Sequence, residues 1–93
     1  MQVTVEYAAQ VKQVAGVARD VIELDQPSPV AEIARQVAAN GSEGLAGILL
    51  DENGQPRPSI LVFKGEDQVR WDDTTTLVAD GETITLLSPV SGG

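Results

Sequence analysis

Five apolar side chains constrain this chain most: Val30, Ile33, Ala34, Val37 and Ala38 stand at the spacing of one face of an amphipathic helix. A single apolar stripe of this kind must be covered by another layer. Ser28-Pro29 ahead of it reads as a helix start, with Ser28 capping free N–H groups and Pro29 at the first helical position. Asn40-Gly41 behind it reads as a left-handed cap.

The flanking segments supply strands for that layer. Val3-Thr4-Val5-Glu6-Tyr7 alternates with period two, placing Val3, Val5 and Tyr7 inward. Residues 8–15 shift to helical spacing through Val11, Val14 and Ala15, with Gly16 as the stop. Residues 20–24 read as a strand with Ile22 and Leu24 inward, and residues 59–63 as a short buried strand. Residues 64–67 turn the chain, and residues 68–71 read as a brief edge strand. Residues 72–80 form a polar crossover, with Leu77 and Val78 dipping into the core. Asp80-Gly81-Glu82 is a tight turn before a last strand, residues 83–87, with Ile84 and Leu86 inward. Residues 42–50 fit either helical turns or the start of an extended segment. This order predicts an α+β roll of the β-grasp type, with a mixed four- to five-stranded sheet and helices on one face.

Ninety-three residues allow one domain, because so short a chain buries only about 60–65% of its unfolded surface. Tyr7, Phe63 and Trp71 are the only aromatic residues, so the core is aliphatic. The sequence has no Cys and no His, which removes disulfides, Cys/His zinc sites, thiol nucleophiles and imidazole catalysis. A self-sufficient catalytic site is hard to build from the remaining residues. Fourteen acidic against six basic residues give a net charge of −8, which argues against nucleic acid and anionic membranes as partners. Such a field either speeds encounter with a basic protein surface or only keeps the domain soluble. No signal segment or membrane span is evident, which points to the cytoplasm.

The last residues carry the most specific signal. Ser88-Pro89-Val90-Ser91-Gly92-Gly93 follows the final strand. Pro89 removes a backbone donor and biases Ser88 toward extended geometry, so residues from about 88 to 93 are expected to leave the body as a flexible tail. Two glycines let a carboxylate enter a narrow enzymatic pocket without side-chain clash. The bland alternative is a frayed terminus.

Three segments resemble the MoaD/ThiS family of ubiquitin-like sulfur carriers, and its MoaD branch most. They are residues 5–16 (VEYAAQVKQVAG), residues 77–84 (LVADGETI) and the ending SPVSGG. The middle segment has Asp-Gly-Glu where the family's turn runs Gly-Asp-Glu, and Leu86-Leu87-Ser88 stand where relatives often carry aromatic residues. The resemblance implies that the Gly93 carboxylate is adenylated with ATP by a ubiquitin-activating-type enzyme (MoeB/ThiF-like) and becomes a thiocarboxylate. Gly92 is then the permissive neighbour. Leu86, Leu87, Pro89 and Val90 are the expected partner-binding residues. The implied receiver is a MoaE-like large subunit of molybdopterin synthase, with this chain as a non-catalytic subunit that binds no cofactor and no metal. Thiazole or cysteine synthesis, or protein modification through Gly93, are alternatives; an acidic binding domain with an inert tail is another of a different class.

Other motifs read as structure. Asp72-Asp73 before three threonines and Asp51-Glu52-Asn53-Gly54 lack calcium-loop ligand spacing and are loop and turn. Gly41, Gly44 and Gly47 have no Lys-Ser/Thr after them and make no phosphate loop. Glu6, Glu23 and Glu32 read as solvent-facing charges, and Trp71 as a cover for the core edge.

Overall fold

The computed structural model describes residues 1–41, 43–70, 73 and 75–88. Its elements are β1 (Gln2–Ala9), α1 (Gln10–Ala15), β2 (Arg19–Glu23), β3 (Ser28–Pro29), α2 (Val30–Asn40), α3 (Glu43–Leu49), β4 (Leu61–Lys64), β5 (Asp67–Val69), β6 (Leu77–Val78) and β7 (Thr83–Ser88). Five strands form one sheet in the order β2-β1-β7-β4-β5, and β3 pairs with β6 in a separate two-stranded ribbon. β7 runs parallel to β1, while the β1–β2, β4–β7 and β4–β5 pairs are antiparallel. A parallel pair needs a long crossover, and here it joins the first strand to the last. This mixed sheet with its helices is a β-grasp fold.

The period-two pattern decides which sheet face is buried. Val3, Val5 and Tyr7 of β1, Ile22 of β2, Val62 of β4 and Ile84 and Leu86 of β7 are buried in one cluster with Val11, Val30, Ile33, Val37, Leu45 and Leu49 from the helices. Each such aliphatic side chain contributes roughly 1.5–3 kcal/mol through removal from water. The stripe of α2 is buried as its spacing predicts: Val30, Ile33, Ala34, Val37 and Ala38 all lie in the core. Within the ambiguous stretch, Glu43–Leu49 form a helix, α3, whose Leu45 and Leu49 close the end of that core, and Leu50 bridges to Pro56. Gly16 stops α1 in the left-handed conformation, φ +78°, its N–H donating to the Lys12 carbonyl at 3.0 Å.

Three local expectations are corrected. Ser28 does not cap α2, and Pro29 is not its first helical residue. Both are extended and pair with Val78 and Leu77, so the helix starts one residue later without a side-chain cap. The Ser28 hydroxyl donates instead to the Gln26 carbonyl at 3.0 Å. Gly41 is extended, φ −97°, not left-handed. A Cβ there would sit 2.6 Å from Leu45 Cδ2, so space, not φ, calls for glycine. Leu77 is 44% exposed, whereas Val78 is fully buried. Neighbours on a strand point to opposite faces, so only one of them can reach the core.

Candidate functional site

The site builds on β7, which lies in the middle of the sheet with β1 on one side and β4 on the other. Its start is tied down. The Gly81 N–H donates to the Gln2 carbonyl at 2.8 Å, and the Gln2 N–H donates to Asp80 Oδ1 at 2.7 Å. Within the turn, the Ala79 N–H donates to Glu82 Oε1 at 2.7 Å, and Lys64 Nζ lies 3.2 Å from Glu82 Oε2 while donating to the Leu77 carbonyl at 3.1 Å. The Ala79 N–H, and secondarily Lys64, hold the Glu82 carboxyl below its usual range. Gly81 sits at φ +82°, a conformation that costs an L side chain about 1–2 kcal/mol.

The other end of β7 has fewer partners among the described residues. Ser88 stands opposite Ala9, whereas the β4 ladder stops one residue earlier, with Leu87 opposite Leu61. Ala9 has φ +55° and ψ −131°, and it is the sole non-glycine residue with positive φ among those described. It breaks β1 and turns the chain into α1 beside the last described residue of β7.

Register then identifies what lies on the open face of the sheet. Leu87 is flanked by Ala8 and Leu61, and the next outward row holds Glu6, Thr85, Phe63 and Gln68. Ala8, Leu61, Phe63 and Leu87 are all partly exposed, so they form an apolar patch beside the end of β7. A cleft of about 320 Å³, lined by Pro56, Pro58, Ile60, Leu61, Val69 and Arg70, adjoins it.

Of the expected partner-binding residues, Leu87 is on this surface. Leu86 is not: its side chain is completely buried. Alternation along β7 sends it inward with Ile84, so it supports the strand and cannot touch a partner. Pro89, Val90, Gly92 and Gly93 lie outside the described residues, as do Trp71 and Asp72. Leu61 and Phe63 also belong to the patch, although their apolar run by itself reads only as a buried strand. The signal was present: an unbroken apolar run in a strand with one face in the core must leave alternate apolar residues outside.

The remaining candidate groups serve local structure. Asp73 Oδ1 accepts from the N–H and hydroxyl of Thr75 at 2.8 and 2.6 Å, and Oδ2 accepts from the Thr76 hydroxyl at 2.7 Å. These bonds, led by the Thr75 hydroxyl, hold the Asp73 carboxyl down to about 2. Asp51 Oδ1 accepts from the Asn53 and Gln55 N–H groups, which closes the 51–54 turn. The Tyr7 hydroxyl donates to Asp20 Oδ2 at 2.8 Å; burial, and then Asp20, push the phenol far above its ordinary range. Among the described residues no three His, Cys, Asp or Glu side chains converge as metal ligands, and no helix is long and apolar enough to cross a membrane.

Comparison with known proteins agrees with this geometry. Residues 5–93 match the ThiS family. The chain belongs to that family of small ubiquitin-like carriers and modifiers, which are generally non-catalytic. It is 30% identical to small archaeal modifier protein 3 of Haloferax volcanii over 94 aligned positions covering both proteins completely. The crystal structure of SAMP1 from Haloferax volcanii superposes with a TM-score of 0.83 at 21% identity, each chain covered completely. A putative molybdopterin converting factor, subunit 1, from Pyrococcus furiosus gives a TM-score of 0.70 at 24% identity, with 97% of this chain and 99% of that one covered.

Proposed function

We propose that this protein carries sulfur on the carboxyl group of Gly93. The observation that carries the reading is the placement of β7: a central strand, locked at its start, whose last described residue, Ser88, follows an apolar patch of Leu87, Leu61 and Phe63. The patch supplies docking area for an adenylating enzyme of the MoeB/ThiF type. The Gly93 carboxylate attacks the α-phosphorus of ATP, pyrophosphate leaves, and an acyl adenylate results. The outer sulfur of a persulfide then attacks the carbonyl carbon and AMP leaves. A thiol cleaves the resulting sulfur–sulfur bond, leaving a C-terminal thiocarboxylate and a disulfide. Adenylation matters because a carboxylate is a poor electrophile and AMP is a good leaving group. Gly92 leaves the approach clear of side chains.

For the receiver, we favour a MoaE-like large subunit, with this chain as the small subunit of a molybdopterin synthase in the cytoplasm. The match to a putative molybdopterin converting factor subunit supports it. The full-length identity with a small archaeal modifier protein favours a second reading, in which Gly93 is joined to lysines of other proteins.

One experiment separates these. The chain is incubated with ATP, an adenylating enzyme and a sulfur donor, and its intact mass is measured. A gain equal to exchange of one oxygen for sulfur supports sulfur carriage; isopeptide-linked Gly-Gly remnants on lysines support modification. No change with any compatible adenylating enzyme leaves an acidic binding domain with an inert tail. Deleting Gly93 is expected to abolish the mass gain and to leave the unfolding midpoint unchanged, because the last residue of a chain ordinarily adds little to stability.

A further inference from the structure

The edge strand β2 carries information that the tail chemistry does not use. Among the described residues it borders the sheet and pairs only with β1. Leu24 donates its N–H to the Met1 carbonyl at 2.8 Å, and Tyr7 donates its N–H to the Ala18 carbonyl at 2.9 Å. Counting by twos along this antiparallel ladder, Ala18, Asp20, Ile22 and Leu24 turn their main-chain groups toward β1. Arg19, Val21 and Glu23 therefore turn theirs outward, where no strand among the described residues receives them. An open edge of this kind is a template for another strand.

The side chains of these same three residues make the edge complementary to itself. Val21 is 58% exposed, a high value for a large apolar residue in the middle of a strand. Arg19 and Glu23 lie two residues to either side and are also exposed. No ion pair or hydrogen bond engages the Arg19 side chain among the described residues. Among the described residues Glu23 accepts only from exposed Gln2 Nε2, at 2.9 Å, and lies 3.9 Å from the terminal ammonium.

We propose that β2 pairs antiparallel with β2 of a second copy, about a two-fold axis at Val21, joining the two sheets edge to edge. Val21 then faces Val21, and Arg19 of each copy faces Glu23 of the other, twice by symmetry. Each of these pairs exchanges two main-chain hydrogen bonds. A parallel in-register pairing would set Arg19 beside Arg19 and Glu23 beside Glu23, so charge selects the antiparallel arrangement. The two β7 strands run in opposite directions in such a pair, each separated from the joint by β1 and β2. The joint therefore leaves both Leu87 surfaces uncovered and is independent of the Gly93 reading.

The net charge of −8 on each copy opposes association. At physiological ionic strength a Debye length of about 8 Å screens the distant charges much more than the contacting pairs. Pairing is accordingly weak and tightens from low to moderate salt. Sedimentation equilibrium of the full chain at moderate salt is expected to show an average mass rising with concentration toward twice the monomer. R19E and E23R alone are expected to weaken this by about tenfold or more, since each converts both symmetric pairs to like charges. An equimolar mixture of the two restores opposite charges at both positions and is expected to associate at least as well as the wild type. Circular dichroism confirms that each variant is folded. Hydrogen exchange at the Val21 amide is expected to slow as the mass rises. A monomeric mass at all concentrations and salts overturns the proposal, even if β2 then accepts a strand from a different protein. Equal association of R19E, E23R and wild type overturns it, and so does a dimer in which the Val21 amide exchanges freely.

Discussion

The two ends of β7 are built differently. At the start, Asp80, Gly81 and Glu82 are bonded to Gln2, Ala79 and Lys64, and the Gly65 N–H donates to the Thr83 carbonyl at 3.1 Å. At the finish, Ser88 has β1 beside it but has outrun β4, and its neighbour Ala9 is in a backbone conformation unfavourable to an L residue. One end fixes register and the other ends the sheet. Among the described residues, the bonds that fix β7 gather at its start, and Ser88 at its finish has a strand partner on the β1 side alone. The same division runs across the strand: Ile84 and Leu86 anchor it from beneath, while Leu87 serves the surface.

Substitutions test that division. Leu86→Ala is expected to have the largest effect on stability, a loss of about 2–5 kcal/mol in urea unfolding, because a filled core site becomes a cavity. Leu87→Ala is expected to cost only about 1 kcal/mol while raising the KM of adenylation. Equal losses of stability from the two would erase the distinction between anchor and docking residue. Gly81→Ala comes next, at about 1–2 kcal/mol, from the left-handed backbone alone; a neutral result would show that the turn does not need that conformation to set the register of β7.

The pH response sharpens the same contrast. The folded-state Glu82 carboxyl lies below its ordinary value of 4.5, so its contribution to stability is present above that value and is lost as pH falls through the lowered one. Glu82→Gln is expected to flatten the acid side of the stability profile, read from urea midpoints at successive pH values. An unchanged profile would mean that the Ala79 and Lys64 contacts do not hold the start of β7. The smallest effect is expected at the other end. Ala9→Gly should stabilise by about 1 kcal/mol or less, since relief of strain is partly offset by the entropy of glycine.

Sequence patterns disclosed most of the fold where local periodicity and burial coincide. The stripe on α2, the alternation in β1 and β7, the Gly16 stop and the Asp80-Gly81-Glu82 turn were all legible, because each depends on neighbours a few residues away. Ser28 shows where that reading stops. It has the right chemistry for a helix cap, but Val78, fifty positions later, claims its backbone for a ribbon. Leu77 and Val78 were equally apolar in sequence, and the pairing of β6 with β3 sent only one of them inward.

The candidate site divides in the same way. Residue types alone excluded Cys and His chemistry and drew attention to Gly92-Gly93, because side-chain functional groups and their absence are properties of the chain. Alternation along the last strand already turned Leu86 inward, but only the assembled sheet put Leu61, Phe63 and Ala8 around Leu87 and left Arg19, Val21 and Glu23 on an open edge. Those neighbours come from four different strands. Their proximity depends on strand order and register, which are set by burial of the whole core and not by any one segment.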